Sequence, residues 1–206
     1  MDILKVIAKQ LGHPKGLLGR FIFLPLLNWG NNHLITSVLE KLKFVPEDTY
    51  LDIGFGGGKS LLLAVHLLKP DRIKGVDSSP ESIRFFKKKK NEIDVFLGSC
   101  ENLPFEDDSF SKISTINTIY FIPDLNKGLQ EMKRVLKKEG VLAIGFSEKK
   151  KMEKFSMVTK NDFNLFEPQD VQDILEHNGF VDVEVNENEN LVHFSGDYIV
   201  TAHLSK

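Results

Sequence analysis

The sequence predicts a doubly wound α/β fold, in which helices cover both faces of a mostly parallel, seven-stranded sheet. Three observations lead to this prediction. Short apolar runs alternate with segments of helical spacing from about residue 34 onwards. The first apolar run passes directly into a glycine-rich turn at residues 54–58, as a buried strand does before a helix. The last two apolar runs have no helical segment between them, so they should form an antiparallel hairpin at one end of the sheet.

In the first half of the chain, three predicted strands alternate with helices. Residues 60–68 (SLLLAVHLL) are almost wholly apolar, and they end before Pro70, which cannot continue a helix. Pro80 favours a helix start, with Ser78 or Ser79 as the capping residue. The predicted elements are a helix at 34–42, a strand at 49–53, a helix at 60–68, a strand at 72–76, a helix at 80–90 and a strand at 93–97.

The second half continues the alternation and closes with the hairpin. Gly140 marks the turn before the fifth strand, and Gly179 is the residue type that favours a helix end. The polar sequence NENEN at residues 186–190 is predicted to join the last two strands. The predicted elements are a strand at 112–116, a helix at 125–136, a strand at 141–146, a helix at 168–178 and strands at 181–185 and 197–204.

The composition is that of a soluble, globular protein. Apolar residues make up 41% and charged residues 27% of the 206 residues. The formal net charge is −2, so no global basic field favours nucleic acid as a partner. The lysine run at residues 87–90 is interpreted as a solvated helix end, not as a nucleic-acid patch. A single cysteine, Cys100, excludes an internal disulfide and fits a cytoplasmic location, and no metal-ligand set is predicted.

The N-terminal segment is predicted to be a helical lid. Residues 3–11 have apolar positions at helical spacing interrupted by lysines, which indicates an amphipathic helix and not a signal peptide. The apolar stretch FIFLPLL at residues 21–27 is too short to cross a bilayer, so no stable membrane insertion is expected. Trp29 is expected at the lid edge, with a helix-capping turn as the alternative. The chain is thus predicted to be one domain, residues 1–206, with a helical cap at 1–45 and a core at 46–206.

The glycine-rich turn, LDIGFGGGKS at residues 51–60, must be assigned to one of several ligand classes. A phosphate-binding loop needs G-x-x-x-x-G-K-[ST], but its first glycine would fall on Ile53. A dinucleotide-binding turn needs G-x-G-x-x-G, but its third glycine would fall on Lys59. The turn does satisfy G-x-G-x-G, preceded by Asp52, which suits a ligand without phosphates such as S-adenosylmethionine. A tight strand-to-helix turn without any ligand stays an alternative.

A second acidic residue supports an adenosine ligand. Asp77 ends the second predicted strand, 23 residues after Gly54. A carboxylate at this place accepts hydrogen bonds from both ribose hydroxyls. NAD sites share this feature, so Asp77 supports adenosine without choosing the cofactor, and a surface helix cap is the alternative.

Four blocks of sequence together resemble a known family. In chain order they are LDIGFGGG, GVDSSPESI, GSCENLPFEDDSFSKI and EMKRVLKKEGVLAI. They resemble the class I S-adenosylmethionine-dependent methyltransferases, most closely the small-molecule branch known as Methyltransferase-11-like. The resemblance runs from about Asp48 to the C-terminus. It implies a Rossmann-like fold and S-adenosylmethionine as the cofactor, with S-adenosylhomocysteine as the product, and it is nearly silent on the acceptor.

The resemblance also implies which residues hold the methionine end of the cofactor. Gly54, Gly56 and Gly58 would line the methionine and adenosine parts. Phe55 would offer its backbone between them. Asp52, at the strand end, would interact with the ligand's ammonium through hydrogen bonds or water.

For the adenosine part, the resemblance implies contacts after the second and third strands. Asp77 would hold the ribose and Ser78 would flank the adenine. Asn117, just beyond the fourth strand, would lie beneath the methionine part. The adenine edge would be bound by backbone amides and a side chain of Ser99, Cys100 and Glu101.

The sequence departs from the family pattern in this region. Ser99 stands where the family usually has an aspartate, which weakens the expected adenine contact by about 1 kcal/mol. Cys100 stands where alanine is common and is expected to be a small apolar wall, not a nucleophile. Ser111 and Lys112 replace an aspartate and an apolar residue, which is expected to be a harmless surface change.

Methyl transfer is an in-line displacement, so the protein's main task is to align the acceptor. Tyr120, in NTIY after the fourth strand, is the candidate catalytic residue, which would orient an acceptor or take part in proton transfer. An aromatic pocket wall is the alternative for it. The stretch lacks both prolines of the [DN]-P-P-[YF] pattern, so a nucleic-acid base is not the expected acceptor. The expected partner is a small molecule, enclosed by the lid and residues 149–166.

Two other functions stay open at this point. A non-catalytic binding or scaffolding module could keep the same fold and the same glycine turn. An NAD-dependent oxidoreductase is disfavoured by Lys59 at the third glycine position. The oligomeric state is not predicted.

Overall fold

The computed structural model describes residues 32–90, 92–154, 163–188 and 196–205. Strands and helices alternate along these residues, as the sequence predicts. The strands are β1 Tyr50–Ile53, β2 Ile73–Asp77, β3 Asp94–Leu97, β4 Phe110–Ile116, β5 Leu136–Ser147, β6 Phe180–Glu187 and β7 Asp197–Leu204. The helices are α1 Asn32–Lys41, α2 Lys59–Ala64, α3 Pro80–Lys87, α4 Leu125–Val135, α5 Lys149–Met152 and α6 Pro168–His177.

The strands form one seven-stranded sheet in the order β3-β2-β1-β4-β5-β7-β6. The first five strands pair in parallel. β7 lies between β5 and β6 and runs antiparallel to both. This confirms the predicted fold class, a mostly parallel sheet with an antiparallel C-terminal hairpin.

Both faces of the sheet are covered, which explains why the central strands carry buried apolar side chains on both sides. On one face, Leu51 and Ile53 of β1 belong to a buried cluster with residues of α4 and α6. On the other face, Tyr50 belongs to a cluster with residues of α1, α2 and α3. Burying one large side chain of this kind contributes about 1.5–3 kcal/mol to folding. The two clusters hold β1 and β4 rigidly in the middle of the sheet, where the candidate site begins.

Local sequence signals set several helix ends. Asp124 caps α4, because its Oδ1 accepts the backbone N–H of Lys127 at 3.1 Å. Pro168 opens α6 next to a capping box of Glu167 and Asp170. Gly179 follows α6 with φ 82°, the left-handed conformation that ends a helix.

Some element bounds differ from the sequence prediction. The helix predicted at 60–68 ends at Ala64 and continues as turns. The fifth strand begins at Leu136 instead of residue 141, and Glu139 in it has φ 61°. This irregular stretch takes the place of the turn predicted at Gly140, because the chain bulges while still pairing with β4. β6 extends to Glu187 and so includes part of the predicted NENEN loop.

The predicted lid lies outside the described residues for positions 1–31, including Trp29. Of the predicted helical cap, α1 is described, and its buried face packs on the sheet. The stretch at 155–162 and His193 also lie outside the described residues. Within the described ranges, no helix is long and apolar enough to cross a membrane.

Candidate functional site

The sequence-predicted site residues lie at the carboxyl ends of β1, β2, β3 and β4. The strand order reverses between β1 and β4, since the chain builds outwards from β1 to β3 on one side and from β4 to β5 on the other. In open parallel sheets such a switch point forms a crevice that binds ligands. The topology therefore brings the predicted residues to one edge of the sheet.

Three glycines shape the turn that follows β1. Gly54, Gly56 and Gly58 have φ values of 74°, 51° and 74°, all in the left-handed region. A Cβ on Gly54 would lie 2.4 Å from Thr118 Oγ1, and a Cβ on Gly58 would lie 2.2 Å from the Phe86 ring. A Cβ on Gly56 would meet no atom within 4 Å. Two of the glycines are thus required by packing, while Gly56 faces open space.

The side chain of Phe55 points away from this open space. Its ring packs with Phe86 in the core, with ring centroids 5.6 Å apart, and lies close to Gly75. Phe55 therefore presents only its backbone at the turn. The turn as a whole offers bare main chain at positions 55–57, anchored on both sides by side-chain packing.

Asp77 holds the turn from the neighbouring strand. Its Oδ2 accepts the backbone N–H of Gly56 at 2.8 Å, and its Oδ1 accepts that of Ser79 at 2.8 Å. Asp77 thus fixes the glycine turn relative to the start of α3 and places a carboxylate at the carboxyl end of β2.

Asp52 lies beneath the turn and is buried. Its Oδ1 accepts the Ser114 hydroxyl at 2.9 Å, and its Oδ2 accepts the Ser60 hydroxyl. Tyr50 completes the network, with its hydroxyl 2.7 Å from Ser114 Oγ. Burial raises the pKa of the Asp52 carboxyl to about 7. Both oxygens of Asp52 bond to protein hydroxyls, so the side chain ties β1, β4 and the first turn of α2 together below the ligand position.

The three residues after β3 contribute differently. Ser99 is exposed, and its Oγ donates to Glu101 Oε2 at 3.2 Å. Glu101 Oε1 accepts the backbone N–H of Asp124 at 3.0 Å, which fastens the start of α4. Cys100 is buried against Gly128, and burial raises the pKa of its thiol to about 12. A thiol that stays protonated packs as an apolar group. Ser78, after β2, is exposed at the same edge.

Asn117 and Tyr120 form a second group after β4. Asn117 has φ 51°, and its backbone N–H donates to the Gly145 carbonyl at 2.8 Å. Its Oδ1 lies 3.1 Å from the Tyr120 hydroxyl. That hydroxyl also lies 3.0 Å from the Ser147 carbonyl oxygen and accepts the Ser147 backbone N–H.

The environment of Tyr120 differs from that of a proton-transfer group. The side chain is 3% exposed, and burial raises the pKa of its hydroxyl. Its hydroxyl proton and one lone pair are taken by protein partners. The Tyr120 hydroxyl thus joins the end of β4 to the end of β5, and the catalytic role expected from the sequence stays a prediction.

Hydrogen bonds extend this group from Ser147, at the end of β5, to Asp197, at the start of β7. Ser147 Oγ donates to Asp197 Oδ1 at 2.5 Å, and Lys151 Nζ lies 2.6 Å from the same oxygen. The ion pair is largely buried, with 15% of each side chain exposed. Sequence reasoning missed these residues, as it did Ser60, Ser114 and Thr118. The one available signal was the pair of polar residues at 114–115, which lie between two isoleucines in the strand.

The residues present fit S-adenosylmethionine. The open side of Gly56 leaves room for a ligand against the main chain, which a Cβ at that position would reduce. Asp77, next to it, is a carboxylate at the end of β2, the residue type and place that suit a ribose. Ser78 and Ser99 are exposed farther along the same edge, where the nucleoside base would follow the ribose.

Comparisons with known proteins agree with this geometry. Residues 51–144 match a family model described as a methyltransferase domain. A ubiquinone/menaquinone biosynthesis C-methyltransferase from Geotalea daltonii is 34% identical over 52% of this chain and 48% of its own length. An uncharacterized protein from Methanocaldococcus jannaschii is 30% identical over 76% of this chain and 77% of its own length. The chain therefore spans about half of the first relative and about three quarters of the second.

A solved structure extends the likeness to the whole fold. It is a Haloferax volcanii protein solved in complex with the Trm112 methyltransferase activator. It aligns with a TM-score of 0.80 at 16% identity, covering 100% of this chain and 99% of that one. At this identity the likeness concerns the fold alone.

Proposed function

The chain belongs to the class I S-adenosylmethionine-dependent methyltransferases, and we propose on that basis that it transfers the cofactor's methyl group to a small-molecule acceptor. One observation carries the proposal. Within the matched domain, a glycine turn offers an open face at Gly56 directly beside the Asp77 carboxylate. A bare turn backed by a carboxylate suits a sulfur nucleoside, and it lacks the spacing that wraps phosphates.

The cofactor-binding roles follow from the contacts of each residue. The backbone at Gly56 would lie against the cofactor, because no side chain separates them. Asp77 would accept the ribose hydroxyls, because its carboxylate lies at the carboxyl end of β2 beside the Gly56 backbone. Ser78 and Ser99 would flank the adenine. Asp52 would support the glycine turn through its hydrogen bond to Ser60, and it would not contact the cofactor directly.

S-adenosylmethionine supplies an already activated sulfonium methyl group, so the chain's own residues have to align the acceptor and exclude water. Asn117 and Tyr120 lie at the end of β4, on the acceptor side of the glycine turn. The Tyr120 hydroxyl would hold the Asn117 side chain by its Oδ1. The hydrogen bond of the same hydroxyl to Ser147 connects this group to β5. We assign both residues to the positioning of the methionine end and the acceptor.

The proposed acceptor is small and partly apolar. The half-buried Phe163 packs on Phe121, with ring centroids 5.2 Å apart, and Asn164 bonds to the carbonyl oxygens of Tyr120 and Ile122. Residues 163–166 therefore cover the end of β4 with aromatic and aliphatic side chains. A relative named for quinone biosynthesis makes quinone precursors reasonable first compounds to test.

The proposal is tested in two steps on the full chain. Calorimetric titration with S-adenosylmethionine and S-adenosylhomocysteine measures binding, with NADH titrated in parallel. Formation of S-adenosylhomocysteine is then measured with a panel that includes short-chain demethylmenaquinone, a simple hydroquinone and a sugar hydroxyl. Binding of NADH in place of S-adenosylmethionine would overturn the assignment. Binding without turnover on any acceptor would favour the non-catalytic module.

A further inference from the structure

The two edges of the sheet are protected to very different degrees. β6 has a register shift between Val181 and Glu184, and Asp182 at the shift has φ 50°. Three exposed acidic side chains also lie along this strand, at Asp182, Glu184 and Glu187. Bulges and charges are the devices by which edge strands avoid pairing with other chains. β6 is therefore an edge strand that is protected against pairing with a strand of another chain.

β3, at the opposite edge, is short, with four residues, but it has few of the other protective devices. It pairs with β2 without a register shift, and its one charged residue is the first, Asp94. Leu97 is 57% exposed, more than any other large hydrophobic residue in the described ranges. The Gly98 N–H donates inwards to the Asp77 carbonyl oxygen at 3.1 Å, so alternation turns the N–H groups of Val95 and Leu97 outwards. No strand among the described residues pairs with that outer side.

A groove of about 450 Å³ adjoins this edge strand on one face of the sheet. Its floor is a row of aromatic rings, with Phe105 stacked edge-on between Phe96 and Phe110 at centroid distances of 5.1 and 5.0 Å. Its charged lining is balanced, with two basic residues, Arg72 and Lys74, and two acidic residues, Asp71 and Glu106. An added strand would direct every second side chain onto this face. The groove thus favours apolar residues at alternate positions.

Near the amino end of β3, basic side chains outnumber the acidic side chains of Glu92 and Asp94. Arg84 and the lysines at 87–90 cluster where α3 leads into the strand. Arg84 is paired with Glu81, and Lys90 lies 3.6 Å from Glu92. Lys87 and Lys88 are exposed and have no acidic partner in the described part of the chain. This end therefore favours acidic residues in whatever chain lies beside it.

We propose that β3 is a docking edge for an extended, acidic segment of another protein, which adds a strand to the sheet. Main-chain hydrogen bonds to Val95 and Leu97 would hold the segment in place. Its apolar side chains would enter the aromatic groove, and its acidic side chains would lie toward Lys87 and Lys88. The carboxyl end of β3 leads directly to Ser99, so the docked segment would end beside the proposed adenine position.

The test uses two labelled octapeptides as probes, one alternating Glu and Val and the other alternating Lys and Val. Fluorescence anisotropy is expected to show binding of the Glu peptide at least about tenfold tighter than the Lys peptide, with loss of affinity at high salt. Leu97→Lys should weaken binding about tenfold by placing a charge on the edge. Leu67→Lys is the matched control, because Leu67 is 52% exposed and lies away from β3. It should bind as the unaltered protein does.

Hydrogen exchange locates the contact. The Val95 and Leu97 amides should exchange freely in the unbound protein and become protected with the Glu peptide. The double variant Lys87→Glu, Lys88→Glu should lose the peptide preference even if Leu97→Lys proves unstable. Slow exchange in the unbound protein, equal affinity for both peptides or no binding would overturn the proposal. A dimer that Leu97→Lys dissolves would instead assign the edge to a second copy, and tighter binding of an RNA oligonucleotide would assign the lysines to nucleic acid.

Discussion

The cofactor half of the candidate site and its acceptor half are built in different ways. The cofactor half consists of the glycine turn with Asp77, and its contacts are mainly to backbone groups of nearby strands. The acceptor half joins Tyr120 to Ser147 and Ser147 to Asp197, pairs that are 27 and 50 residues apart in the chain. The Gly56–Asp77 bond joins the ends of the adjacent strands β1 and β2, while the acceptor wall extends from β4 through β5 to β7 and so depends on the closure of the C-terminal half of the sheet. Changes in the two halves should therefore affect different measurements.

The largest effect is expected from Asp77→Ala. The change removes the acceptor for the Gly56 and Ser79 amides and for the ribose, and hydrogen bonds to a charged group contribute about 1.5–3 kcal/mol each. Affinity for S-adenosylhomocysteine should fall by about a hundredfold or more, as measured by calorimetry. Asp77→Asn is the control, since it keeps the shape and one acceptor oxygen, and it should lie in between. Unchanged affinity in both variants would contradict the assignment of Asp77 to the cofactor half of the site.

The contribution of Asp52 should appear in the pH dependence of the free energy of unfolding, and not in the affinity for the cofactor. Its pKa in the folded protein, about 7, lies above its ordinary value of 3.8, so the folded state binds the extra proton between these limits. The free energy of unfolding should therefore fall as pH rises from about 4 to about 7 and level off above, by on the order of a few kcal/mol. Asp52→Asn should flatten this dependence, as followed by urea denaturation at several pH values. The same slope in Asp52→Asn would show that other groups cause it.

Among the glycines of the turn, substitution of Gly58 should mainly lower stability, and substitution of Gly56 should mainly lower cofactor affinity. In Gly58→Ala the new methyl group would meet the Phe86 ring, so the free energy of unfolding should fall by about 2–3 kcal/mol. In Gly56→Ala the new methyl group faces open space, so stability should fall only by the cost of the left-handed backbone, about 1–2 kcal/mol. Cofactor affinity should nevertheless drop about tenfold in Gly56→Ala, because the methyl group would occupy the ligand side. Thermal melting and calorimetry on both variants distinguish the two roles, and equal losses in both would contradict them.

The smallest effect is expected from Tyr120→Phe, which keeps the ring and removes the hydroxyl. The Ser147 N–H loses its buried acceptor, so the free energy of unfolding should fall by about 1–2 kcal/mol. Affinity for S-adenosylhomocysteine should stay within about threefold of the unaltered value, while turnover with an identified acceptor should fall. A loss of cofactor affinity as large as that of Asp77→Ala would show that the two halves act as one unit.

Several elements could be predicted because their signals are local. The glycine spacing after β1 and the apolar runs of the central strands depend on neighbouring residues, and they correctly predicted the parallel sheet with its C-terminal hairpin. Helix ends were less well predicted, as in the shorter α2, because packing ends a helix as effectively as sequence does. Tyr120 was predicted to be near the chemistry, but its bonds to Ser147 come from a strand farther along the chain. No local pattern reports such a partner.

The sequence by itself determined the strand–helix alternation, the turn of bare main chain and the acidic residues that follow β1 and β2. These features depend on backbone conformation and side-chain type at adjacent positions, which any short stretch of chain displays. Only the tertiary structure decided that Gly56, unlike Gly54 and Gly58, faces open space, that Asp52 is buried under hydroxyls, and that no described strand pairs with the outer side of β3. Those properties depend on which distant side chains arrive at each position, and that is fixed only when the sheet is assembled.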